Sequence, residues 1–358
     1  GGSLPHVGPN PGAGGGGPYW CGFFVQAPWR TYVNYNDPRL IEKYYSQMKE
    51  WFKYVDKYTV DGLLKRWPDT KYRDWYLGDW LAPMGVDAGN QASVDLVSNC
   101  FISECLSTMY KTAITLGKRE EAEEFAMRRE KLNKLIHQTF YREDEGIYST
   151  GSQLDMCYPM LVGVVPDSLY NKVKENVVAM TEEKYKGHIA VGLVGVPILT
   201  EWAVRNKQVD FFYQMMKKRD YPGYLYMIDH GATATWEYWS GERSRVHNCY
   251  NGIGTWFYQA VGGIRLDEAK PGYRHFYVDP QIPNGVTWAK VTKESPYGTI
   301  AVNWKLKDDN QLNLQLTVPA GTTATVCIPN NAVSCKKNKK KVSVKEQTVD
   351  VEAGHYDF

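Results

Sequence analysis

The chain has 358 residues, of which 43% are hydrophobic and 23% are charged, and its formal net charge is +2. This length predicts two domains, or one large domain with an appendage, and is enough to bury a sizeable core. The small net charge creates no field that would gather nucleic acid or an anionic membrane, and no apolar run reaches the roughly 18 residues that a membrane span requires. We therefore expect a packed globular protein that binds neither nucleic acid nor membrane.

Aromatic residues are the unusual feature of the composition, at 14% with 26 Tyr and 12 Trp. They suit a carbohydrate-binding groove, because sugar rings stack on flat apolar faces, and they equally suit a large aromatic core. The seven cysteines form no Cys-x-x-Cys pair and leave one over, so they indicate neither a zinc site nor a complete disulfide framework. We expect them to be mostly buried thiols.

The first two thirds of the chain predict helices. After a glycine- and proline-rich loop at 1–19, apolar residues recur at helical spacing in a series of segments. These segments are 20–36, 37–55, 94–116, 119–139, 153–163, 167–182, 189–204, 208–218 and 247–261. Apolar-rich and charged helices alternate, as an inner ring of buried helices and an outer amphipathic ring would require, which indicates an (α/α)6 toroidal barrel. About five helix pairs are present where a closed toroid has six, so we expect one pair to lie before Gly1.

After Pro271 the pattern changes to alternating apolar and polar residues, as in "TIAVNWKL", "QLNLQLTVP", "TATVCIP" and "KVSVKEQTVDVEAG". "KDDNQ" and "PAGTT" supply turns between these stretches. This region predicts an antiparallel β-sandwich, and we place the barrel domain at 1–269 and the sandwich domain at 270–358. The basic run "KKNKKK" at 336–341 is interpreted as a solvated hairpin loop rather than an anion-binding patch.

Loop segments of an α/α barrel gather at one end, and four here are rich in carboxylates, aromatics and glycine. They are "GGGGPYW", "WYLGDWL", "YPGYLYMIDHGATATWEYWSG" and "RVHNCYNG". Acids beside tryptophans suggest a site that holds a sugar by stacking and hydrolyses it with carboxylates, one as acid and one as base or nucleophile. Glu237 is the leading carboxylate, although it could instead form an ion pair or a helix cap. Asp79 could equally form a turn or a cap, and His247 a capping or core hydrogen bond.

Other chemistries lack their characteristic motifs. The chain has no His-Glu-x-x-His, no spaced Cys/His cluster, no phosphate-binding Gly-x-x-x-x-Gly-Lys and no Gly-x-Ser-x-Gly. We therefore expect no metal site. The glycines at 14–17 do not lead from a strand into a helix, so we expect them to let the backbone pass close to a ligand.

Seven stretches in order resemble bacterial α-L-rhamnosidases of glycoside hydrolase family 78. They are "GGGGPYW", "GDWLAP", "GHIAVGLVGVP", "GATATWEYW", "HNCYNGIGTWFYQAVGGI", "PGYRHFYVDP" and "TWAKVTKESPYGTIAVNW". The resemblance extends from about residue 3 to about residue 305 and implies an (α/α)6 catalytic barrel followed by a C-terminal β-sandwich. It also implies hydrolysis of terminal α-L-rhamnosides with inversion and without a cofactor.

The resemblance implies roles for particular residues. Glu237 takes the position of the general base that activates water, and His247 matches a histidine near the sugar. Trp20, Asp79 and Trp80 match positions of the rhamnose pocket, where indole faces would hold the apolar side of the sugar and the carboxylate would accept hydroxyl hydrogen bonds.

Two departures from the family pattern concern the walls of this pocket. Tyr224 stands where relatives carry a tryptophan, and Trp20 is followed by Cys21 and Gly22 rather than by an acid. Trp236 is expected to form another wall of the pocket. The changes at Tyr224 and after Trp20 leave open a glycosidase of the same fold with a different sugar specificity.

A third departure concerns the general acid, which in the family lies in an Asp-x-Pro-x-Arg-Glu type segment in the first barrel loop. No such segment occurs here, so we expect the acid to come from an N-terminal remainder of the same enzyme, before Gly1. A noncatalytic glycan-binding fragment is the alternative from another class. The expected partner is a rhamnose-containing oligosaccharide or glycoside, and a periplasmic or extracellular location is slightly favoured.

Overall fold

A computed structural model of the chain describes residues 16–67, 75–307, 311–330 and 332–358. The chain forms two compact units, each built from separate stretches of sequence. The described residues of the first unit lie in 16–29, 41–202 and 214–252, and those of the second in 30–40, 203–213 and 253–358. The predicted boundary at residue 269 falls inside the last stretch, and the division into 1–269 and 270–358 stays a prediction. The predicted turn "KDDNQ" lies partly outside the described residues.

Eleven α-helices are described along these ranges, and they follow the predicted series closely. They are α1 Pro18–Cys21, α2 Phe23–Tyr35, α3 Arg39–Asp56, α4 Gln91–Thr115, α5 Arg119–Phe140, α6 Gln153–Leu161, α7 Asp167–Tyr185, α8 Gly195–Arg205, α9 Val209–Met216, α10 Tyr224–Asp229 and α11 Gly254–Trp256. No helix in these parts of the chain is both long and apolar enough to cross a membrane.

The predicted alternation of inner and outer helices is confirmed in α4 to α7. The helices α4 and α6 bury residues around most of their circumference, whereas α5 and α7 bury a single stripe and expose charged residues on the other side. Helix α4 packs against both α5 and α6. The start of α6 is tied to α4 by the buried Asp155 carboxylate, which accepts a hydrogen bond from Ser93 at 2.6 Å.

Two predicted helices differ from the structure. The segment predicted at 189–204 becomes helical only at Gly195, because the backbone N–H groups of Gly192, Val194 and Gly195 donate to a buried carboxylate instead of a preceding helical turn. The segment predicted at 247–261 begins with a 3-10 turn at Asn251–Ile253, continues through α11 and ends in a π turn at Phe257–Val261.

The first unit also contains two short hairpins. One pairs β1 Thr59–Val60 with β2 Leu63–Leu64, and the other pairs β3 Tyr141–Arg142 with β4 Ile147–Tyr148. Part of the aromatic content is core, because the indoles of Trp67, Trp202, Trp236, Trp239, Trp256 and Trp304 are almost fully buried in the two units. All seven cysteines are free, five of them buried and two half-buried, as the sequence predicted.

The second unit contains the predicted β-sandwich as two four-stranded sheets. One has the order β13-β10-β6-β5, and the other has the order β14-β9-β8-β7. The strands are β5 Ile264–Leu266, β6 His275–Val278, β7 Trp288–Ser295, β8 Gly298–Leu306, β9 Leu312–Val318, β10 Thr323–Cys327, β13 Thr348–Val351 and β14 Gly354–Asp357. Every pairing within these sheets is antiparallel except that of β6 with β10.

The basic run at 336–341 forms strands, so its interpretation as a loop is wrong in part. Strands β11 Cys335–Lys337 and β12 Lys340–Val342 pair antiparallel. Only Asn338 and Lys339 form the turn, both with positive φ, which is the geometry of a two-residue type I′ hairpin. The lysines are spread along the two strands and the turn, which agrees with the solvated hairpin that was predicted.

A substitution at Gly22, which lies between α1 and α2, tests how tightly this part of the chain packs against α4. A Cβ at this position would lie 2.4 Å from Phe101 Cε1 and 2.6 Å from the Pro18 carbonyl oxygen. Gly22→Ala is therefore expected to lower the free energy of unfolding by about 1–3 kcal/mol, measured by urea denaturation. Gly254→Ala is the control, since an added Cβ there meets no heavy atom within 4 Å. Equal midpoints for the two variants would contradict this packing.

Candidate active site

Backbone hydrogen bonds hold Glu237 in place, and its side chain is half-buried. Its N–H donates to the Ser244 carbonyl at 2.8 Å, and its carbonyl accepts the Tyr250 hydroxyl at 3.1 Å. The side chain is half-buried, and among the described residues its carboxylate makes no hydrogen bond or ion pair. Neither structural alternative for Glu237, an ion pair or a helix cap, is therefore found in this part of the chain. The main chain fixes the position of the acid, and its oxygens stay available to a ligand or water.

The aromatic neighbours of Glu237 hold its loop together. Trp236 is 2% exposed, and the Arg245 guanidinium lies 5.2 Å from the centre of its ring. Gly241 passes so close to this ring that a Cβ would lie 2.7 Å from it, and its φ of +81° also favours glycine. Trp236, predicted as a pocket wall, therefore packs inside the loop, and a contact with sugar stays a prediction.

Two aromatic residues that were not predicted as site residues, Trp239 and Tyr250, pack against each other beside this loop. Trp239 stacks on Tyr250 with ring centres 4.0 Å apart and an interplanar angle of 21°. The Trp239 Nε1–H donates to the Val191 carbonyl at 2.9 Å. Both residues occur in the motifs "WEYW" and "HNCYNG", but the sequence alone does not distinguish a buried supporting aromatic residue from one that lines a pocket.

Tyr224 joins the same cluster from the start of α10. Its ring meets Trp239 edge-on at 5.2 Å, and its hydroxyl donates to the Tyr250 carbonyl at 2.8 Å. Burial raises the pKa of both the Tyr224 and Tyr250 phenols, so both hydroxyls remain protonated donors. Tyr224, at the position where the resemblance implies a tryptophan, thus uses its hydroxyl to bond the backbone of Tyr250, the residue that stacks on Trp239.

Asp79 is 4% exposed and acts as a hub for backbone donors. Its Oδ1 accepts the N–H groups of Trp80, Val194 and Gly195 at 2.8, 2.9 and 3.2 Å, and its Oδ2 accepts that of Gly192 at 2.7 Å. Burial raises the pKa of the carboxyl, and the four N–H donors oppose that shift because they stabilise the ionised form.

The contact between the Asp79 segment and the 191–195 loop is too close for side chains. A Cβ on Gly192 would lie 1.8 Å from the Trp80 carbonyl oxygen, which accepts the Leu193 N–H at 2.9 Å. The sequence raised a turn or a cap as the alternative role for Asp79, and the structure shows its carboxylate accepting the Val194 and Gly195 N–H groups at the start of α8. The sugar contact implied for Asp79 stays a prediction.

His247 is oriented by the backbone around it. Its Nδ1 accepts the Cys249 N–H at 3.0 Å, and its own N–H donates to the Thr235 carbonyl at 2.9 Å. An Nδ1 that accepts a hydrogen bond assigns the neutral ring the tautomer with hydrogen on Nε2. Nε2 has no hydrogen-bond partner among the described residues, so it can donate to a ligand oxygen.

The remaining predicted residues, Trp20 and Trp80, are half-buried on adjoining segments. Trp20 Nε1–H donates to the Gly78 carbonyl at 3.3 Å, and the Trp80 ring lies 5.2 Å from that of Trp75. Gly16 forms a bridge with Tyr76, so the described glycines of the 14–17 run bring the backbone close to another stretch of this chain. The predicted approach to a ligand stays a prediction.

These contacts bring the four predicted loop segments together. The first segment bonds to the second at Gly78, and the second bonds to the 191–195 loop through Asp79. That loop receives the Trp239 indole N–H, and the Tyr250 hydroxyl lies 3.3 Å from the Leu81 carbonyl and 3.1 Å from that of Glu237. The convergence of distant loops is confirmed for the described residues. The sequence missed the 191–195 loop as the link among them.

The described part of the chain has no group of three or more His, Cys, Asp or Glu side chains placed to hold a metal ion. A cavity of about 560 Å³ lies elsewhere, lined by α4, α5 and residues 163–166. In it, Arg129 and Asn133 donate to the Val162 carbonyl just beyond the end of α6. None of the predicted site residues lines this cavity.

The Asp79→Asn variant tests whether the four backbone hydrogen bonds to the Asp79 carboxylate hold the loops together. The amide keeps one acceptor but turns an NH₂ group toward backbone donors, so the unfolding free energy is expected to fall by about 2–3 kcal/mol in urea denaturation. Asp87→Asn is the control in the same loop, because Asp87 is exposed and its single acceptor bond to the Gly89 N–H, at 3.0 Å, is preserved by an amide. A stability change in Asp79→Asn no larger than in the control would show that the four bonds do not hold the loops.

Among curated proteins, the chain is similar to α-L-rhamnosidases. It is 26% identical to one from Alteromonas sp. (strain LOR), over 92% of this chain and 36% of that protein, and 27% identical to one from Formosa agariphila, over 95% and 38%. The chain thus spans little more than a third of the length of these relatives.

Solved structures share the fold. The Streptomyces avermitilis α-L-rhamnosidase complexed with L-rhamnose has a TM-score of 0.87 at 23% identity, over 100% of this chain and 34% of that one. The Aspergillus terreus enzyme has a TM-score of 0.85 at 24% identity, over 100% and 41%. The predicted fold class, a six-hairpin barrel followed by antiparallel sheets, is confirmed.

Family models match nearly the whole chain. The bacterial α-L-rhamnosidase six-hairpin glycosidase domain matches residues 1–261, and the bacterial α-L-rhamnosidase C-terminal domain matches residues 263–343. The first match alone covers well over half of the sequence. The chain belongs to the bacterial α-L-rhamnosidase family, as its motifs predicted.

Proposed function

We propose that this chain carries the general-base side of an active site that hydrolyses terminal α-L-rhamnosides with inversion at the anomeric carbon. The observation that carries the proposal is the Glu237 carboxylate, which the main chain positions and no described residue engages. Family membership supports the substrate class, and the rhamnose in the Streptomyces avermitilis structure supports the sugar.

The chemistry follows from the roles of the two carboxyl groups. Glu237 would take a proton from a water molecule as the water oxygen attacks the anomeric carbon from the face opposite the leaving group. The glycosidic bond breaks, the leaving oxygen takes a proton from the general acid, and the products are β-L-rhamnose and a free alcohol. We propose that the acid lies in the segment that the family resemblance places before Gly1.

His247 and Glu237 lie on the two sides of one loop. The backbone bonds of Thr235 to His247 and of Glu237 to Ser244 tie these sides together in a hairpin-like arrangement. The free Nε2–H of the neutral imidazole is suited to donate to a sugar hydroxyl near the base. Trp20 and Trp80, both half-buried, are the stacking faces that we propose for the apolar side of the sugar.

The base can be tested separately from the acid by the choice of leaving group. Fluoride departs without a proton, so α-L-rhamnosyl fluoride needs a base but no general acid. The chain of 358 residues is therefore expected to hydrolyse this substrate faster than it hydrolyses alkyl rhamnosides. Matching α-glucosyl, α-mannosyl and α-L-fucosyl fluorides test the alternative of another sugar. Calorimetric binding of L-rhamnose with no turnover of the fluoride would favour the noncatalytic alternative.

Glu237→Gln is expected to lower kcat on α-L-rhamnosyl fluoride by about 10²–10⁴-fold, because general-base catalysis contributes that much and an amide accepts no proton. Rhamnose affinity, measured by calorimetry, should stay within about tenfold. Glu242→Gln is the matched control, since Glu242 is exposed in the same loop. A kcat that falls no further than in the control would make Glu237 a structural residue.

His247→Asn separates the two nitrogens of the imidazole. The asparagine oxygen can still accept the Cys249 N–H, but nothing replaces the donor at Nε2. KM for the rhamnosyl fluoride is expected to rise about tenfold, the value of one hydrogen bond to substrate, with the melting temperature nearly unchanged. A fall in melting temperature at constant KM would assign His247 a purely structural role.

A further inference from the structure

The outer face of the sheet β14-β9-β8-β7 is a second surface with the character of a carbohydrate site. Side chains alternate along each strand, so one face buries Ile300, Val302, Trp304, Leu314 and Leu316. The register aligns the opposite residues into rows that cross the sheet. These rows are Trp288–Lys305–Asn313, Lys290–Asn303–Gln315–Asp357 and Thr292–Ala301–Thr317–His355.

Trp288 is the large apolar side chain of these rows. It is 65% exposed, and it begins β7, the outermost strand of the sheet. Its cross-strand partner is Lys305, which has no ring to stack on the indole, and the indole remains largely exposed beside it. An indole this exposed is not used by the core of its own unit, and its flat face is the group that best stacks on the apolar side of a sugar ring.

The middle row supplies a ladder of neutral amides. Asn303 Nδ2–H donates to Gln315 Oε1 at 3.1 Å, and Gln315 Nε2–H donates to Asp357 Oδ1 at 3.3 Å. In the next row, Thr317 Oγ1 and His355 Nδ1 lie 3.0 Å apart. These hydrogen bonds order the side chains and leave the side-chain oxygen of Asn303, Oδ1, and further side-chain N–H groups available to a ligand. Sugar hydroxyls, which both donate and accept, match such an array.

The charge on the face argues for a neutral ligand. Lys290 and Lys305 are balanced by Glu294 and Asp357, so with neutral histidine these four groups give no net charge. Balanced charge attracts neither a polyanion nor a polycation. A buried protein interface would have an apolar centre, and apart from Trp288 and the small Ala301 these rows hold amides, hydroxyls, an imidazole and charged groups.

We propose that this outer face binds neutral oligosaccharide, with Trp288 stacking on one sugar ring and the Asn303–Gln315 ladder bonding to hydroxyls of the next. The site goes beyond the proposed hydrolysis and is independent of Glu237. It would retain a polymeric substrate on the enzyme while terminal residues are cleaved.

Affinity electrophoresis of the 358-residue chain through gels containing galactomannan, xyloglucan or arabinogalactan tests the proposal. At least one polymer is expected to retard the protein, and Trp288→Ala should weaken the apparent affinity about tenfold or more. Tyr277→Ala is the control, an exposed aromatic on β6 of the other sheet, and should migrate as the unmodified protein does. Asn303→Ala combined with Gln315→Ala should weaken binding without changing the melting temperature greatly.

Three outcomes would contradict the proposed binding site. They are no retardation of the unmodified protein by any of the polymers, retardation of Trp288→Ala equal to that of the unmodified protein, and a dimer of the unmodified protein that dissociates when Trp288 is replaced. The last outcome would make a second copy of the chain the occupant. Hydrolysis of α-L-rhamnosyl fluoride should be the same in Trp288→Ala as in the unmodified chain. Failure of this binding face is thereby distinguished from failure of the proposed activity.

Discussion

The buried carboxylate of Asp79 is the constraint on which the candidate site depends. Four backbone N–H groups converge on it, three of them from the 192–195 loop, which lies more than a hundred residues away in sequence. A buried carboxylate is costly unless it is hydrogen-bonded, so satisfying it holds the two segments together. Gly192 makes this approach possible, since any side chain there would collide with the Trp80 carbonyl.

Hydrogen bonds and an aromatic stack connect the segments around Asp79 to the segment that carries Glu237, the proposed base. The 191–195 loop receives the Trp239 indole N–H, Trp239 stacks on Tyr250, and the Tyr250 hydroxyl lies within hydrogen-bonding distance of the Glu237 carbonyl. The aromatic residues around Glu237 therefore act chiefly through the backbone. They fix the peptide that carries the acid, while the carboxylate itself is left without a described partner, as a group that must accept a proton from water requires.

Much of this arrangement could be predicted from the sequence. Helical periodicity and the change to strict alternation after Pro271 predicted the fold class, and acids beside tryptophans predicted which segments converge. The start of α8 could not be predicted by periodicity, because the N–H groups that would begin the helix earlier are used by Asp79, a partner visible only in three dimensions. For the same reason, Asp79 as a backbone hub and Trp236 as an interior residue could not be distinguished from pocket residues. The basic run was predicted as a hairpin loop, and its two short strands could not be predicted because a continuous run of lysines and asparagine has no apolar–polar alternation.

In the proposed mechanism, Glu237 directs water to the face of the sugar opposite the leaving group. Proton NMR of the first rhamnose released from α-L-rhamnosyl fluoride tests it most directly, because the anomeric signals can be followed before mutarotation mixes them. If Glu237 acts as the base, β-L-rhamnose is expected to appear first, and the α anomer is expected to grow in later. Initial release of α-L-rhamnose would contradict it, since that result requires a carboxylate acting as nucleophile rather than as base.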